Sequence, residues 1–321
     1  MESYNHINRW EGSKKRACPK GEREDISMIS EKMKPLVNNN SAIRAMFEEG
    51  KKLAALYGAE NVYDFSLGNP NVPAPDSVGQ AICDILKEEE STFVHGYMSN
   101  AGYEDVRDTI AQSLNRRFGT SFHQNNILMT VGAASGLNII LKTLLNPGDE
   151  VIAFAPYFVE YGSYVRNYDG NLVVISPNTK DFQPNLDEFG EKITPRTKAV
   201  IINTPNNPTG VVYSAGTLSR MADILREKQS QLGTDIVLIS DEPYRELAYD
   251  GVEVPYVTGF YDNTVICYSY SKSLSLPGER IGYLVIPDAL KDSEEVFNAA
   301  TIANRVMGAV NAPSLMQRVI K

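Results

Sequence analysis

Short apolar runs alternate along this chain with longer segments in which hydrophobic residues recur every three or four positions. Ile43, Met46, Phe47, Gly50, Ala54 and Tyr57 share one face of a helix, as do Tyr103, Val106, Ile110 and Leu114, and again Leu218, Met221, Ala222 and Leu225. Leu137 to Leu145 is a further apolar helical run. Each stripe is read as core packing rather than as a binding face. Between them, Ile127 to Thr130, Val151 to Ala155, Leu172 to Ser176, Ala199 to Asn203, Ile236 to Ser240 and Val265 to Tyr268 are strand candidates. Continuous apolar runs of this sort suit strands covered on both faces. The alternation predicts an α/β fold, a doubly wound and mostly parallel sheet with helices on both sides. No internal repeat or long low-complexity tract interrupts it.

Composition narrows the range of tasks. With 321 residues, 42% of them hydrophobic, the chain can bury one large core and a smaller appendage. No apolar stretch approaches the length that spans a bilayer. A net charge of −9 argues against nucleic-acid binding, which leaves a basic footprint. Cys18, Cys83 and Cys267 show neither disulfide nor metal spacing and suit a reducing compartment, so the expected location is cytoplasmic. His6, His95 and His123 are scattered, which disfavours a zinc site or a histidine-based triad.

The chemistry concentrates in Ser269-Tyr270-Ser271-Lys272-Ser273-Leu274-Ser275-Leu276-Pro277-Gly278-Glu279-Arg280-Ile281-Gly282. Here a lysine follows the apolar run Thr264 to Tyr268 in a hydroxyl-rich turn, with an arginine eight residues later. A lysine amine that can lose its proton attacks an aldehyde and holds it as a Schiff base. Hydroxyls such as Ser269, together with the forked guanidinium of Arg280, would hold a phosphate. Lysine plus phosphate cradle suggests pyridoxal 5′-phosphate.

Upstream elements sit where such a site needs them. Asp241-Glu242-Pro243-Tyr244 follows the buried run Asp235 to Ser240, at the strand end outside which open α/β sheets bind ligands. An acid there can pair with a pyridine nitrogen and make the ring an electron sink; a turn or helix cap is the other reading. Asn203-Thr204-Pro205-Asn206-Asn207-Pro208-Thr209-Gly210 follows another strand and reads by itself as a loop. Val131-Gly132-Ala133-Ala134-Ser135-Gly136 joins a strand to a helix with small residues, which lets backbone amides approach an anion or simply allows tight packing.

The lysine segment resembles the signature of the class I/II aminotransferases, the fold type I pyridoxal-phosphate enzymes. The similarity runs from about Ser41 to the last residue and leans toward the aspartate aminotransferase-like branch. The resemblance implies that Lys272 bonds the cofactor, that Asp241 meets its ring nitrogen, and that Tyr244 and Asn207 contact its ring oxygen. It implies a phosphate cup at Gly132, Ala133 and Ala134, shared with Ser269 and Arg280. Phe158, in Pro156-Tyr157-Phe158-Val159-Glu160-Tyr161, matches an aromatic that lies against the ring, a core aromatic being the alternative. Tyr97 matches a tyrosine that reaches the phosphate of a neighbouring subunit, which implies a homodimer. Gly68, in Leu67-Gly68-Asn69-Pro70, matches a backbone position near the substrate carboxylate, shared with Asn207.

On this reading the chain transfers amino groups between an L-amino acid, aspartate-like, alanine or aromatic, and a 2-oxo acid. A β-lyase or other carbanion chemistry on the same cofactor is the first alternative. A non-catalytic cofactor-binding fragment or regulator is the second, although the residues before the first helix are too few and irregular for a helix-turn-helix domain. Residues 1–27 are polar and aperiodic and are expected to be a disordered extension without an export signal. Met28 is the expected natural start, 28–70 the N-terminal arm and part of a small domain, and 71–321 the large cofactor domain. The chain ends in a helical pattern from Ser314 that lacks a stop signal. The rest of the small domain, with an arginine that clamps the substrate carboxylate in similar enzymes, is expected to be missing, and turnover by the 321-residue chain is expected to be poor.

Overall fold

The computed structural model describes residues 28–38, 42–65 and 68–321. The expected extension 1–27 lies outside the described residues. Two compact units divide the chain, Met1–Gly68 and Asn69–Lys321.

In the first unit the predicted helix is present as Ala42–Tyr57, preceded by the short helix Lys34–Asn38. Its stripe does not pack as a core: Met46 and Tyr57 are exposed, and Phe47, Gly50 and Ala54 are half-buried. The described part of this unit is helical and offers no sheet for such a stripe to cover.

The second unit is built on a seven-stranded sheet. Its strands are β1 Ile127–Thr130, β2 Glu150–Phe154, β3 Asn171–Ile175, β4 Thr197–Asn203, β5 Val237–Asp241, β6 Thr264–Ser269 and β7 Gly282–Val285. They lie in the order β1-β7-β6-β5-β4-β2-β3. The pairs β2–β3, β2–β4, β4–β5 and β5–β6 are parallel, while β7 runs antiparallel to both β6 and β1. Six strands match the apolar runs to within a residue or two. The pattern missed β7, because Gly282-Tyr-Leu-Val adjoins the lysine–arginine segment and reads as its tail. The link 270–281 holds only the one-turn helix Tyr270–Ser273 and no crossover helix of the kind that usually returns a chain parallel, in keeping with the antiparallel direction of β7.

Every residue of β1, β2, β5, β6 and β7 is buried. Because strand side chains alternate between faces, the sheet feeds two cores. Ile152, Val200, Leu238, Ile266 and Val285 face helices Glu104–Phe118 and Ala215–Leu232 through Ile110, Leu114, Leu218 and Met221. Val151, Ile201, Ile239, Val265 and Leu284 face helices Ala133–Leu144 and Ser293–Val306 through Leu137, Ile140, Leu141 and Ala300. Helix Glu104–Phe118 opens with Glu104 and Asp105, closes with Arg116 and Arg117, and stops at left-handed Gly119, as its dipole and C-terminal geometry favour. Among the described residues no helix is long and apolar enough to cross a membrane.

The topology gathers the chemistry on one rim. The carboxyl ends of β1, β4, β5 and β6 open there, and the antiparallel β7 begins there. Gly282, its first residue, pairs with Thr130 on one side and Ser269 on the other. A side chain at 282 would put a Cβ 2.3 Å from the Tyr268 carbonyl oxygen and 3.1 Å from Gly132 Cα. Both neighbours are backbone and cannot swing away. Gly282→Ala is therefore expected to lower unfolding free energy by about 2–3 kcal/mol, measured by urea denaturation; an unchanged midpoint and slope would show that the rim tolerates the methyl.

Candidate active site

Three turns meet around Gly282. The first leaves β1, where Gly132 adopts φ 85° and caps helix Ala133–Leu144 without a side-chain cap. Thr130 Oγ1 donates to the Gly132 carbonyl at 3.1 Å, and the first-turn amides of the helix are left without side-chain acceptors. The second turn precedes β7 and holds Arg280 in the left-handed region at φ 52°, with Nη1 donating to the Pro277 carbonyl at 2.8 Å. A Cβ on Gly132 would lie 3.0 Å from Arg280 Nη2, so glycine is what allows the guanidinium over the helix start. The third turn leaves β6. Ser269, itself buried, accepts from the Ser271 amide at 3.1 Å through Oγ and starts the one-turn helix Tyr270–Ser273, on which Lys272 stands half-buried. Exposed amides, a guanidinium and hydroxyls on one rim form the donor set that a phosphate takes.

Asp241 ends β5 beside this rim. Its Oδ2 accepts from the Tyr161 hydroxyl at 2.6 Å. Its Oδ1 is buried and, among the described residues, has no hydrogen-bond partner. Buried acceptors are nearly always satisfied, so this oxygen marks where a donor from a ligand belongs. A protonated ring nitrogen is such a donor. The Asp241 carbonyl accepts from Asn203 Nδ2 at 2.7 Å, and Asn203 Oδ1 accepts from the Asn207 amide at 2.6 Å. Asn207 Nδ2 then donates to the Tyr244 hydroxyl at 3.2 Å, which leaves the phenolic hydrogen available to a ligand oxygen. One chain of bonds thus links the Asp241 backbone to Asn207 and Tyr244.

Electrostatics follow from burial. Asp241 is pushed up to about 7, chiefly by desolvation, with the Tyr161 hydrogen bond opposing and the neighbouring Glu242 charge adding to the rise. Lys272 is lowered by desolvation, in the direction that frees its amine. Burial, then Asp241, raises Tyr161 and Tyr244, and burial followed by Glu160 and Asp241 takes Tyr164 to about 12. Glu242 does not act as an open charge. It accepts from Arg245 Nε at 2.6 Å and Ser240 Oγ at 2.8 Å, while Arg245 donates to the Val254 and Pro255 carbonyls and lies beside the stacked Phe118 and Tyr256 rings. A fully bonded pair of this kind fixes the turn after β5.

Of the residues singled out in the sequence, Asp241, Asn207, Tyr244, Gly132, Ala133, Ala134, Ser269, Lys272 and Arg280 all sit on or beside the rim. Phe158 is half-buried, its ring edge-on to Tyr161 at 5.7 Å. Tyr97 stands on the loop before helix Glu104–Phe118 and is 93% exposed. Gly68 is the last residue of the first unit. The pattern gave no role to Tyr161, Tyr164 or Asn203. Tyr161 follows Phe158 by one helical turn, a spacing that places it on the same face, but its bond to Asp241 spans 80 residues and needs the sheet register to be seen. Among the described residues no cluster of His, Cys, Asp or Glu could hold a metal ion.

The family model described as "Aminotransferase class I and II" matches residues 60–321. A "Probable aspartate/prephenate aminotransferase" of Aquifex aeolicus is 33% identical over 78% of this chain and 64% of its own length. An "Aspartate aminotransferase" of Pyrococcus horikoshii is 30% identical over 84% of this chain and 65% of its own. The chain thus spans a little under two thirds of the length of these relatives. A crystal structure described as an amino transferase from Eubacterium rectale superposes with a TM-score of 0.89 at 47% identity, covering 92% of this chain and 74% of that one.

The raised carboxyl has a consequence for stability. The unfolded Asp241 side chain loses its proton near 3.8 and the folded one near 7, so between these values the folded state holds more protons. With the site empty, its contribution to stability therefore falls as pH rises through that window and levels off above it. Asp241→Asn should remove this slope, making the variant gain on the parent between about pH 4 and pH 8 in urea denaturation. A parent–variant difference that does not change with pH would contradict the assignment.

Proposed function

The chain belongs to the class I and II aminotransferases, and from that membership we propose that it holds pyridoxal 5′-phosphate and serves transfer of an amino group between an L-amino acid and a 2-oxo acid. The observation that carries this reading is the buried, unpartnered Oδ1 of Asp241, on the strand that pairs directly with the one leading to Lys272. Residues 71–321 form the cofactor domain, and 28–70 the N-terminal arm with part of a smaller domain.

Bound pyridoxal phosphate supplies an aldehyde that condenses with amines and a ring that accepts electrons. Asp241 Oδ1 holds the ring N–H and keeps its positive charge in place, with Tyr161 fixing the other carboxylate oxygen. The Tyr244 hydroxyl and Asn207 hold the ring oxygen. Gly132, Ala133 and Ala134 present amides to the phosphate, and Ser269 and Arg280 add a hydroxyl and a charge. Phe158 would offer an aromatic face to the ring. Lys272 would anchor the cofactor through Nζ and would hold or move a proton at the substrate α-carbon, roles that its lowered pKa serves.

The amino donor is aspartate-like, alanine or aromatic, in keeping with the relatives named for aspartate and prephenate. Asn207 would lie near the substrate carboxylate, and Tyr97 would complete the phosphate site of a second copy in a homodimer. Cys83 and Cys267 are both free thiols, which suits a cytoplasmic location.

Absorbance titration with pyridoxal phosphate tests the site. The parent is expected to develop the visible band of lysine-bound cofactor, Lys272→Ala to lose it, and Tyr161→Phe to keep it with affinity weakened about tenfold, the scale of one lost hydrogen bond to a buried charge. Incubation with aspartate, alanine, phenylalanine or cystathionine, each with 2-oxoglutarate, tests the reaction. Glutamate plus the matching 2-oxo acid supports transfer, whereas ammonia and pyruvate released from cystathionine would point to elimination. A band that survives in Lys272→Ala would refute the lysine's role.

A further inference from the structure

The loop that carries Tyr97 runs between the short helix Ser91–Val94 and helix Glu104–Phe118 and has no regular structure. Its carbonyls must therefore find partners outside a ladder. Four polar side chains from near the end of the chain meet the loop and its flanks, three donating to carbonyls and one accepting from an amide, all more than 200 residues away in sequence. Asn304 Nδ2 donates to the Asn100 carbonyl at 3.4 Å. Asn311 Nδ2 donates to the Met98 carbonyl at 3.3 Å and the Ser99 carbonyl at 2.8 Å. Ser314 Oγ donates to the Val94 carbonyl and also meets the Tyr103 hydroxyl at 2.8 Å. Gln317 accepts from the Tyr103 amide at 2.9 Å and donates to the Ala312 carbonyl at 2.9 Å, tying the gripped loop to the loop that grips it.

This grip is built, not incidental. Gln317 is 0% exposed and Asn304 1%. Gly102 closes the Tyr97 loop at φ 101°, where a Cβ would fall 2.6 Å from Gln317 Oε1. Val310, β-branched, is held in the left-handed region at φ 63°, a conformation that persists only where the surroundings impose it. Yet the residue on top of this fixed backbone is left bare, with Tyr97 at 93% exposure. A backbone tied at five points under an uncovered tyrosine is suited to act on something outside its own chain.

The geometry points to Asn304, Asn311, Ser314 and Gln317 as positioning residues that set the backbone beneath Tyr97, so that its hydroxyl meets the phosphate held by a second copy of this chain. This rests on the cofactor and homodimer reading above. It adds that the end of the described chain controls cofactor binding in the partner's site and not in its own.

Mixed dimers of the full chain separate these cases. One chain carries Lys272→Ala and cannot bond the cofactor; the other keeps Lys272, and two affinity tags isolate the mixed pair. Asn311→Ala is placed on one chain or the other, and pyridoxal phosphate is titrated by the visible absorbance of the working site. Asn311 is only half-buried, so its loss leaves the core member Gln317 in place. On the Lys272→Ala chain, Asn311→Ala is expected to raise Kd about tenfold; on the Lys272 chain the change should stay under about twofold. Tyr97→Phe should show the same asymmetry. Asn311→Asp, of equal size but without the amide donors, is read in the same way if the alanine variant misfolds. An Asn311 effect that is equal from both chains, or greater from the Lys272 chain, overturns the positioning role while leaving the cofactor reading intact. A chain that stays monomeric, or a Tyr97→Phe change without effect from either side, overturns the homodimer reading beneath it.

Discussion

A buried carboxylate with one oxygen satisfied and one left waiting is the constraint on which this site depends. Removing a charged group from water is costly unless every lone pair is matched. At Asp241 the fold matches only half of them, through Tyr161, and the carboxyl holds its proton to about neutral pH. Such a group is poorly explained as part of a stable core and well explained as one half of an interaction that a ligand completes. Its surroundings agree. The next residue, Glu242, is buried too, but its bonds to Arg245 and Ser240 are complete. Two adjacent carboxylates on one strand end are thus treated in opposite ways, and only one is left to bind.

The sheet makes the constraint useful by bringing distant turns to one rim. Strand β7 is the piece that closes the arrangement. Running antiparallel between β1 and β6, it begins where they end, and Gly282 faces Thr130 and Ser269 across the two ladders. The glycine turn at 132 comes up against the start of β7, with the arginine at 280 over it, because a residue without a side chain sits at 282. A parallel strand in that slot would place its first residue, and the arginine just before it, at the opposite edge of the sheet.

Much of this was legible in the sequence, for a physical reason. Strands β1, β2, β5 and β6 are buried throughout and β4 nearly so, and they read as unbroken apolar runs; the edge strand β3 is only partly covered but keeps its apolar run Leu172 to Ile175. Candidate groups at strand ends are local to those runs, which is how Asp241 and Lys272 stood out, whereas Asn207 and Tyr244 were singled out by the family resemblance. What escaped was set by register or by distance. β7 is four residues long and adjoins a motif, so no pattern separates it. Tyr161 matters through a bond across 80 residues, and Gln317 through one across 214. Helix Ala42–Tyr57 shows the converse, since its periodicity was right while the burial inferred from it was not. A stripe reports which residues share a face, and only tertiary structure decides what covers that face.

Whether one amine on this rim is the cofactor's anchor can be read directly. The chain would be loaded with pyridoxal phosphate, reduced with borohydride, digested, and its peptides weighed. The account predicts the phosphopyridoxyl mass on the peptide that contains Lys272, with the other lysines essentially unmodified. Label spread over surface lysines, with Lys272 unmodified, would contradict it.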